Sequence, residues 1–210
     1  MPDIKDPSIY RSRLDRCQRL MLQRSLDVLF LTPGPNMYYL SGFLEEPSER
    51  LLALIIPQTG EPLFMVPELY EEQVRSSSWI ENLVSWKDSQ DPKAALSAAM
   101  KRTPSGYQAI GVDSRMWSRF LLMLLAVAHD ARFEDAASVM NDLRIRKAPD
   151  ELELLERSAE IADGAFSEML KECREGMREK EVAAEIVHQL RKLGADGIAF
   201  EPVASSGPNA

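Results

Sequence analysis

The feature that most constrains the fold is an alternation of short apolar runs with helical patterns along the first two thirds of the chain. The apolar runs predict strands at 27–31, 51–56, 63–66, 80–86, 108–113 and 132–135. Helical spacing predicts helices at 7–26, 68–76, 92–102 and 116–129. Such alternation is typical of a largely parallel sheet covered by helices, and the Pro- and Gly-containing turn at 57–62 predicts an antiparallel hairpin within it. We therefore expect an α/β fold with a mixed sheet flanked by helices.

A second domain is expected to begin near residue 143. Pro149 suits the first position of a helix, and the acidic residues that follow complement the helix dipole. Apolar residues then recur every three or four positions, forming a stripe at Leu152, Leu155, Ala159, Ala162, Phe166, Met169 and Cys173. A second helix at 179–193 and a strand at 198–206 complete the pattern.

This second domain is predicted to be incomplete within the 210 residues. Two amphipathic helices and one strand have apolar faces that residues 147–210 cannot cover by themselves. We therefore expect the stripe to pack against something outside residues 1–146, and we expect residues 1–142 to fold independently.

The charge distribution excludes some classes of function. The net charge is −8, with 17 basic and 19 acidic residues in 1–146 and with 8 and 14 in 147–210. No basic face is available for phosphates, so nucleic-acid binding is not expected. The longest apolar run, 121–128, is far shorter than the roughly 20 residues of a membrane-spanning helix. These features favour a cytoplasmic protein without membrane contact, in which Cys17 and Cys173 are predicted to be buried, unpaired thiols.

Several catalytic motifs are absent from the sequence. It contains no G-x-S-x-G, no phosphate-binding G-x-x-x-x-G-K-[ST], no G-x-G-x-x-G and no H-E-x-x-H. Glu185 and His188 have the E-x-x-H spacing of di-iron bundles, but such a site needs two of these pairs and two further glutamates. We therefore interpret His188, like the other histidine, His129, as a structural or surface residue.

Four segments, in this order along the chain, resemble one protein family. They are NMYYLSGF at 36–43, LRIRKAPDELELLERSAEIAD at 143–163, GMREKEVAAEI at 176–186 and FEPVASSGPNA at 200–210. They are similar to the creatinase, prolidase and aminopeptidase P family of pita-bread-fold proteins. The resemblance implies a creatinase-like N-terminal domain at 1–142, followed at 143–210 by the opening helices and first strand of an α+β pita-bread catalytic domain.

The resemblance also implies a function. The chain would be the front part of a metal-dependent hydrolase of the Xaa-Pro dipeptidase or aminopeptidase P kind, acting on small peptides. Such enzymes typically hold two divalent cations, often manganese, through two aspartates, a histidine and two glutamates. In the family these ligands lie beyond the SGPNA segment, so no catalytic or metal-binding residue is expected in this chain, which alone should be inactive.

The family's dimers suggest two substrate contacts. In these dimers the N-terminal domain of one subunit lines the active site of the other, partly through the loop after the NMYYLSGF-like motif. A homodimer is therefore expected, with Phe43 as an apolar wall and Arg50 as a clamp for a substrate carboxylate.

Two groups of alternatives share the same fold. One is a non-catalytic peptide- or protein-binding module, as in a histone-chaperone subunit with an aminopeptidase P-like domain, and the acidic charge is compatible with it. The other comprises non-peptidase relatives that act on amidino or amide substrates or on a sulfonium: creatinase, ectoine hydrolase and dimethylsulfoniopropionate lyase. The presence of the ordered metal ligands would separate an enzyme from a binding module.

Overall fold

The computed structural model describes residues 7–104 and 106–210, and the chain divides into two compact units, Met1–Arg146 and Lys147–Ala210. The strands of the first unit are β1 (Val28–Leu31), β2 (Ala53–Pro57), β3 (Leu63–Pro67), β4 (Leu83–Trp86), β5 (Ala109–Val112) and β6 (Arg132–Asp135). Its helices are α1 (Pro7–Gln23), α2 (Pro35–Ser41), α3 (Glu71–Ser77, after a 3-10 turn at Glu68–Tyr70), α4 (Pro92–Met100), α5 (Ser118–Val127) and α6 (Ala137–Arg144). In the described part of the chain no helix is both long and apolar enough to cross a membrane.

The six strands form one mixed sheet in the order β4-β3-β2-β1-β5-β6. The predicted hairpin is confirmed, because β2 pairs antiparallel with β3 in a register that places Ala53 opposite Met65. β2 is also antiparallel to β1, whereas β1–β5, β5–β6 and β3–β4 are parallel pairs. Five strands therefore run in one direction and β2 alone runs against them.

The core lies on both faces of this sheet. Leu29 and Leu31 of β1 point into a cluster that includes residues of α1, α2 and α6, and Val28 and Phe30 point into a second cluster with α4 and α5. All four side chains are fully buried. Strands covered on both faces have continuous apolar sequences, which explains why the β1 run shows no alternation with polar residues.

Two helices of the first unit were not predicted. Pro35 occupies the first turn of α2, where a missing N–H has no cost, and a proline in this position gives no clear helical signal in the sequence. Helix α2 ends at Gly42, whose φ of 78° is left-handed and whose added Cβ would lie 2.9 Å from Tyr10 Oη. Helix α6 begins beside Asp135, which accepts a hydrogen bond from the Ala137 N–H at 2.8 Å.

The second unit consists of α7 (Pro149–Glu172), α8 (Glu179–Lys192) and a 3-10 turn at Gly207–Asn209. Both predicted helices are confirmed, and each begins with the same contact. Glu151 accepts a hydrogen bond from the Ala148 N–H at 2.9 Å, and Glu181 accepts one from the Arg178 N–H at 2.8 Å. A glutamate three residues into a helix thus satisfies an N–H group that has no partner within the helix.

Two predictions for the second unit were wrong. Residues 198–206 have no strand structure, because no strand among the described residues of this unit pairs with them and Pro202 cannot donate a ladder hydrogen bond. Cys173 is exposed rather than buried, because α7 ends at Glu172 and the backbone is extended at the cysteine. Cys17 is buried as expected, and burial raises the pKa of its thiol to about 12.

Candidate functional site

The carboxyl ends of five strands share one edge of the sheet, where the start of β2 also lies. After β1 the chain continues into α2 on one face of the sheet, and after β5 it continues into α5 on the other. The chain therefore leaves two adjacent parallel strands toward opposite faces. In open α/β sheets ligands bind outside the carboxyl ends of the strands at such a switch point. A functional site is therefore expected at this edge.

A polar network lies at the switch point between β1 and β5. The side-chain amide of Asn36 donates to Asp113 Oδ2 at 3.2 Å, and Arg144 donates to Asn36 Oδ1 at 2.7 Å. The other carboxylate oxygen of Asp113 accepts from the Arg115 N–H at 3.1 Å. These contacts join α2, the end of β5 and α6. Because both oxygens of the buried Asp113 carboxylate already have protein partners, we interpret the network as structural.

Other residues of the NMYYLSGF segment also hold α2 in place. The Tyr39 hydroxyl donates to the Leu143 carbonyl at 3.3 Å, and the Arg13 guanidinium lies 4.1 Å from the Tyr39 ring centroid. The Ser41 hydroxyl donates to the Met37 carbonyl at 2.7 Å. The motif that suggested a family thus fixes a short helix against α1 and α6.

A cleft of about 340 Å³ lies at the same edge, next to β2 and β4. Its walls combine charged and apolar side chains: Glu49, Arg50, Leu51, Trp86, Asp88, Gln90, Pro92, Arg119, Phe120 and Met123. The Trp86 indole N–H donates to the Leu51 carbonyl at 3.0 Å, which ties the segment before β2 to the end of β4. The size and mixed lining suit a small ligand with one apolar part and one charged part.

Arg50 is the central charge of this cleft. Its Nε lies 3.0 Å from Asp88 Oδ1 and its second terminal nitrogen 2.8 Å from Asp88 Oδ2, so the pair is bidentate, while Glu49 accepts from the remaining nitrogen at 2.6 Å. Hydrogen bonding to Arg50 lowers the pKa of the Asp88 carboxyl, and the same pair raises the pKa of Arg50. The guanidinium is held in a geometry that matches a planar carboxylate, and Asp88 now fills that role.

Phe43 lies elsewhere. It is 1% exposed and its ring contacts Phe64 edge to face, with 5.9 Å between ring centroids. It belongs to the cluster that contains α1 and α2, whereas Leu51, Trp86 and Phe120 of the cleft belong to the cluster on the other face. The structure therefore does not bring Phe43 and Arg50 into one cleft, and their predicted contacts with substrate stay predictions.

The residues that surround Arg50 were not predicted from the sequence. Asp88 lies 38 positions from Arg50 and follows the end of β4. The available signal was positional, since a polar residue just after a strand of a parallel sheet lies at the ligand-binding edge. Arg119 and Phe120, which come from α5, have no comparable signal in the sequence.

Metal ligands do not cluster in the described part of the chain. Among residues 7–104 and 106–210 no group of three or more His, Cys, Asp or Glu side chains could hold an ion. His188 is exposed, and Glu185, its E-x-x-H partner in sequence, accepts a hydrogen bond from Gln189 at 2.7 Å. His129 lies 3.0 Å from Asp130 at the surface.

Comparison with known protein families assigns both units. The model described as the creatinase/prolidase N-terminal domain matches residues 13–146, and the model of metallopeptidase family M24 matches residues 153–210. An Xaa-Pro dipeptidase of Lactobacillus delbrueckii subsp. lactis is 28% identical over 200 residues, which is 94% of this chain and 54% of that protein. The chain thus spans about half the length of the curated relatives it matches.

Solved structures show the same relationship. A prolidase from Thermococcus sibiricus superposes with a TM-score of 0.88 at 28% identity, covering 95% of this chain and 55% of that one. A structure described as a proline dipeptidase from Streptococcus pneumoniae shares the fold at 24% identity and a TM-score of 0.58. The match covers 64% of this chain but 98% of the pneumococcal one. A fold that corresponds to about two thirds of this chain therefore exists as a separate solved chain.

Proposed function

Since the chain belongs to the creatinase/prolidase family, whose N-terminal domain matches residues 13–146, we propose that it serves in a metal-dependent hydrolase that cleaves Xaa-Pro dipeptides. The first unit would be the substrate-facing N-terminal domain. The second unit would supply the first helices of the metallopeptidase domain.

One observation supports this proposal above the others. The similarity to Xaa-Pro dipeptidases and prolidases runs through both units, at 94–95% coverage of the chain. A binding module and the non-peptidase relatives share the same fold, but the relatives compared above are described as peptidases of proline-containing dipeptides. Cleavage of an Xaa-Pro bond is therefore the activity that the comparisons favour.

The M24 match implies a divalent metal in the hydrolase, and we propose two manganese ions. When bound, such cations polarise the scissile carbonyl and activate a water molecule. The described residues of this chain do not fit a two-metal site, because they form no suitable group of ligands. We therefore assign no metal ligand here and expect this chain to act through substrate positioning and through the fold.

Substrate positioning is proposed for Arg50. Its bidentate contact with Asp88 supports this proposal, because the guanidinium already holds one carboxylate beside the cleft. A substrate carboxylate would replace Asp88 or Glu49 in that contact, and a partly exposed pair exchanges partners at little cost. Phe43 would contribute indirectly, since its burial against Phe64 anchors the start of the loop that ends at Arg50.

A homodimer and a cytoplasmic location belong to the same proposal. The two cysteines are free thiols, which is the usual state of cysteines in reducing compartments. The homodimer rests on the resemblance, in which one subunit's N-terminal domain lines the other's active site.

The test compares the protein isolated from its own cells, through an affinity tag, with the 210-residue chain purified alone. The isolated protein should hydrolyse an Xaa-Pro dipeptide, lose this activity to a chelator and regain it with Mn²⁺. The 210-residue chain should be inactive and should bind no stoichiometric Mn²⁺ in calorimetry. An isolated protein that binds Xaa-Pro peptides but cleaves none of them with any divalent ion would support the binding module instead.

A further inference from the structure

The tripeptide Ala-Asp-Gly occurs twice in the second unit, at 162–164 and at 195–197. In both copies the aspartate is exposed. An aspartate before a glycine is prone to ring closure between its own side chain and the next backbone nitrogen, because glycine has no side chain to hinder that approach. Since the two tripeptides are identical, a difference in their reactivity has to come from the backbone around them.

The first copy lies within α7. Gly164 is in the interior of this helix, where each backbone N–H donates to the carbonyl four residues earlier. Ring closure would bring the Gly164 nitrogen onto the side-chain carboxyl carbon of Asp163, which requires a rotation away from the helical ψ of about −42°. That rotation breaks helical hydrogen bonds, so α7 opposes ring closure at Asp163.

The second copy lies after the end of α8. The last contact of the helix end is a hydrogen bond from the Ala195 N–H to the Leu190 carbonyl at 3.0 Å, and the chain then bends at Asp196 and Gly197. Both residues are exposed, and a Cβ atom added at Gly197 would have no neighbour within 4 Å. Among residues 7–104 and 106–210 the Gly197 N–H finds no acceptor. Rotation of this peptide therefore breaks no hydrogen bond of its own N–H and meets no packed neighbour.

We propose that Asp196 is a site of spontaneous isoaspartate formation and that Asp163 is protected from it. The Gly197 nitrogen attacks the side-chain carboxyl carbon of Asp196, and a C–N bond forms. The carboxyl hydroxyl leaves with the amide hydrogen as one water molecule, which gives a five-membered succinimide. Water then adds to one of the two ring carbonyls and breaks its bond to the nitrogen. One product is the original aspartate, and the other is isoaspartate, in which the main chain runs through the former side chain.

The modification changes both the length and the charge pattern of this connection. Isoaspartate adds one carbon atom to the main chain directly before residues 198–210, which lie within the match to metallopeptidase family M24. It also places a free carboxylate on the α carbon of residue 196. That carboxylate is the group that isoaspartyl methyltransferases methylate, so the aged chain should become a substrate for this class of enzyme.

The first test ages the folded 210-residue chain at physiological temperature. Methyl transfer from S-adenosylmethionine by an isoaspartyl methyltransferase measures the isoaspartate, and peptide mass spectrometry locates it and detects the succinimide by the loss of one water. The peptide that contains Asp196 should carry several-fold more of both than the peptide that contains Asp163. Equal yields, or a higher yield at Asp163, would overturn the proposal.

The second test repeats the ageing in denaturant. Because both sites have the sequence Ala-Asp-Gly, their rates should become similar once α7 is unfolded, mainly through a gain at Asp163. A difference that stays as large in denaturant as in the folded chain would show that the following residue, and not the fold, determines the reactivity.

Two variants complete the design. Asp196→Glu should remove most of the methyl acceptance, because its longer side chain closes a less favourable six-membered ring, whereas the matched control Asp163→Glu should leave it unchanged. Both positions are exposed, and circular dichroism checks that both variants fold. Methyl acceptance that persists in Asp196→Glu would contradict the assignment. None of these measurements depends on hydrolysis of a peptide, so their outcome and that of the proposed peptidase activity are independent.

Discussion

The two units of the chain differ in how they treat their apolar residues. In the first unit both faces of the sheet are covered, and side chains such as Leu29 and Phe30 are fully buried. In the second, the buried side chains among the described residues are Ala165, Met169 and Gln189, while Leu155 and Phe166 are each 52% exposed. Both units were predicted from equally clear apolar patterns. A periodic pattern thus shows which residues can be buried, but it does not identify what buries them.

Truncation should give the largest difference. A chain of residues 1–146 should unfold cooperatively, and residues 1–142 should unfold at a lower temperature, because the shorter chain lacks Leu143. This side chain is fully buried, and its carbonyl accepts hydrogen bonds from Tyr39 and Arg16. Loss of a buried leucine alone costs about 2–5 kcal/mol, a large part of the stability of a domain.

Thermal unfolding followed by circular dichroism and by dye binding is the measurement for this pair of truncations. A 1–142 product that unfolds at the same temperature as the 1–146 product would place the boundary where the sequence first suggested it. A molten 1–146 product would contradict the independence of the first unit.

Leucine truncation compares the two units directly. Leu54→Ala in β2 should destabilise the chain by about 2–5 kcal/mol, because Leu54 is fully buried. Leu152→Ala in α7 should cost less than about 0.5 kcal/mol, because Leu152 is 50% exposed. Urea unfolding of each variant gives both values. Equal losses would mean that the apolar stripe of α7 is covered in solution, as the sequence led us to expect.

A pair of glycines provides a smaller contrast. Gly42 and Gly176 both have left-handed φ values, 78° and 91° respectively. A Cβ atom added at Gly42 would lie 2.9 Å from the Tyr10 hydroxyl oxygen, whereas a Cβ atom added at Gly176 would have no neighbour within 4 Å. Gly176→Ala should therefore cost about 1 kcal/mol from backbone strain alone, and Gly42→Ala about 1–3 kcal/mol more from the clash. The difference between the two unfolding free energies isolates the contact with Tyr10, and identical losses would show that the tyrosine moves aside freely.

The smallest effect concerns pH. Hydrogen bonding to Arg50 lowers the pKa of Asp88 in the folded chain below its ordinary value of 3.8. In the pH range where Asp88 titrates, the unfolded chain therefore binds more protons than the folded chain. The ion pair stabilises the fold above the pKa that Asp88 has in the unfolded chain. This stabilisation is lost as the pH falls through the pKa that Asp88 has in the folded chain. Arg50→Gln should raise the pKa of Asp88 toward its ordinary value in an NMR titration. An unchanged pKa would show that the pair does not persist in solution.

Local patterns predicted most of the fold. The hairpin of β2 and β3 and the start of α7 at Pro149 depend on residues close in sequence, and both were found as expected. Helix α2 was missed because proline both ends regular structure and starts helices, so Pro35 is ambiguous without its surroundings. The strand at 198–206 was wrongly predicted because a strand needs a pairing partner that no local pattern identifies.

The candidate site was less accessible from the sequence. Arg50 was selected through the resemblance to a family, but its partner Asp88 lies 38 positions away and becomes its neighbour only when β2, β3 and β4 align. Phe43 was selected in the same way and is a core residue of the other face. Functional side chains that follow or precede different strands become neighbours through the strand order of the sheet, so their contacts cannot be predicted from the sequence until that order is known.

The two cysteines give each unit its own chemical reporter. Thiolate is the reactive form, and Cys17 combines full burial with a pKa of about 12, so it should be labelled only when the first unit opens. Cys173 is exposed and should react at once. A single time course of thiol labelling, resolved by peptide mass, would therefore record the opening rate of the first unit against an internal standard in the second, without any substitution in the chain.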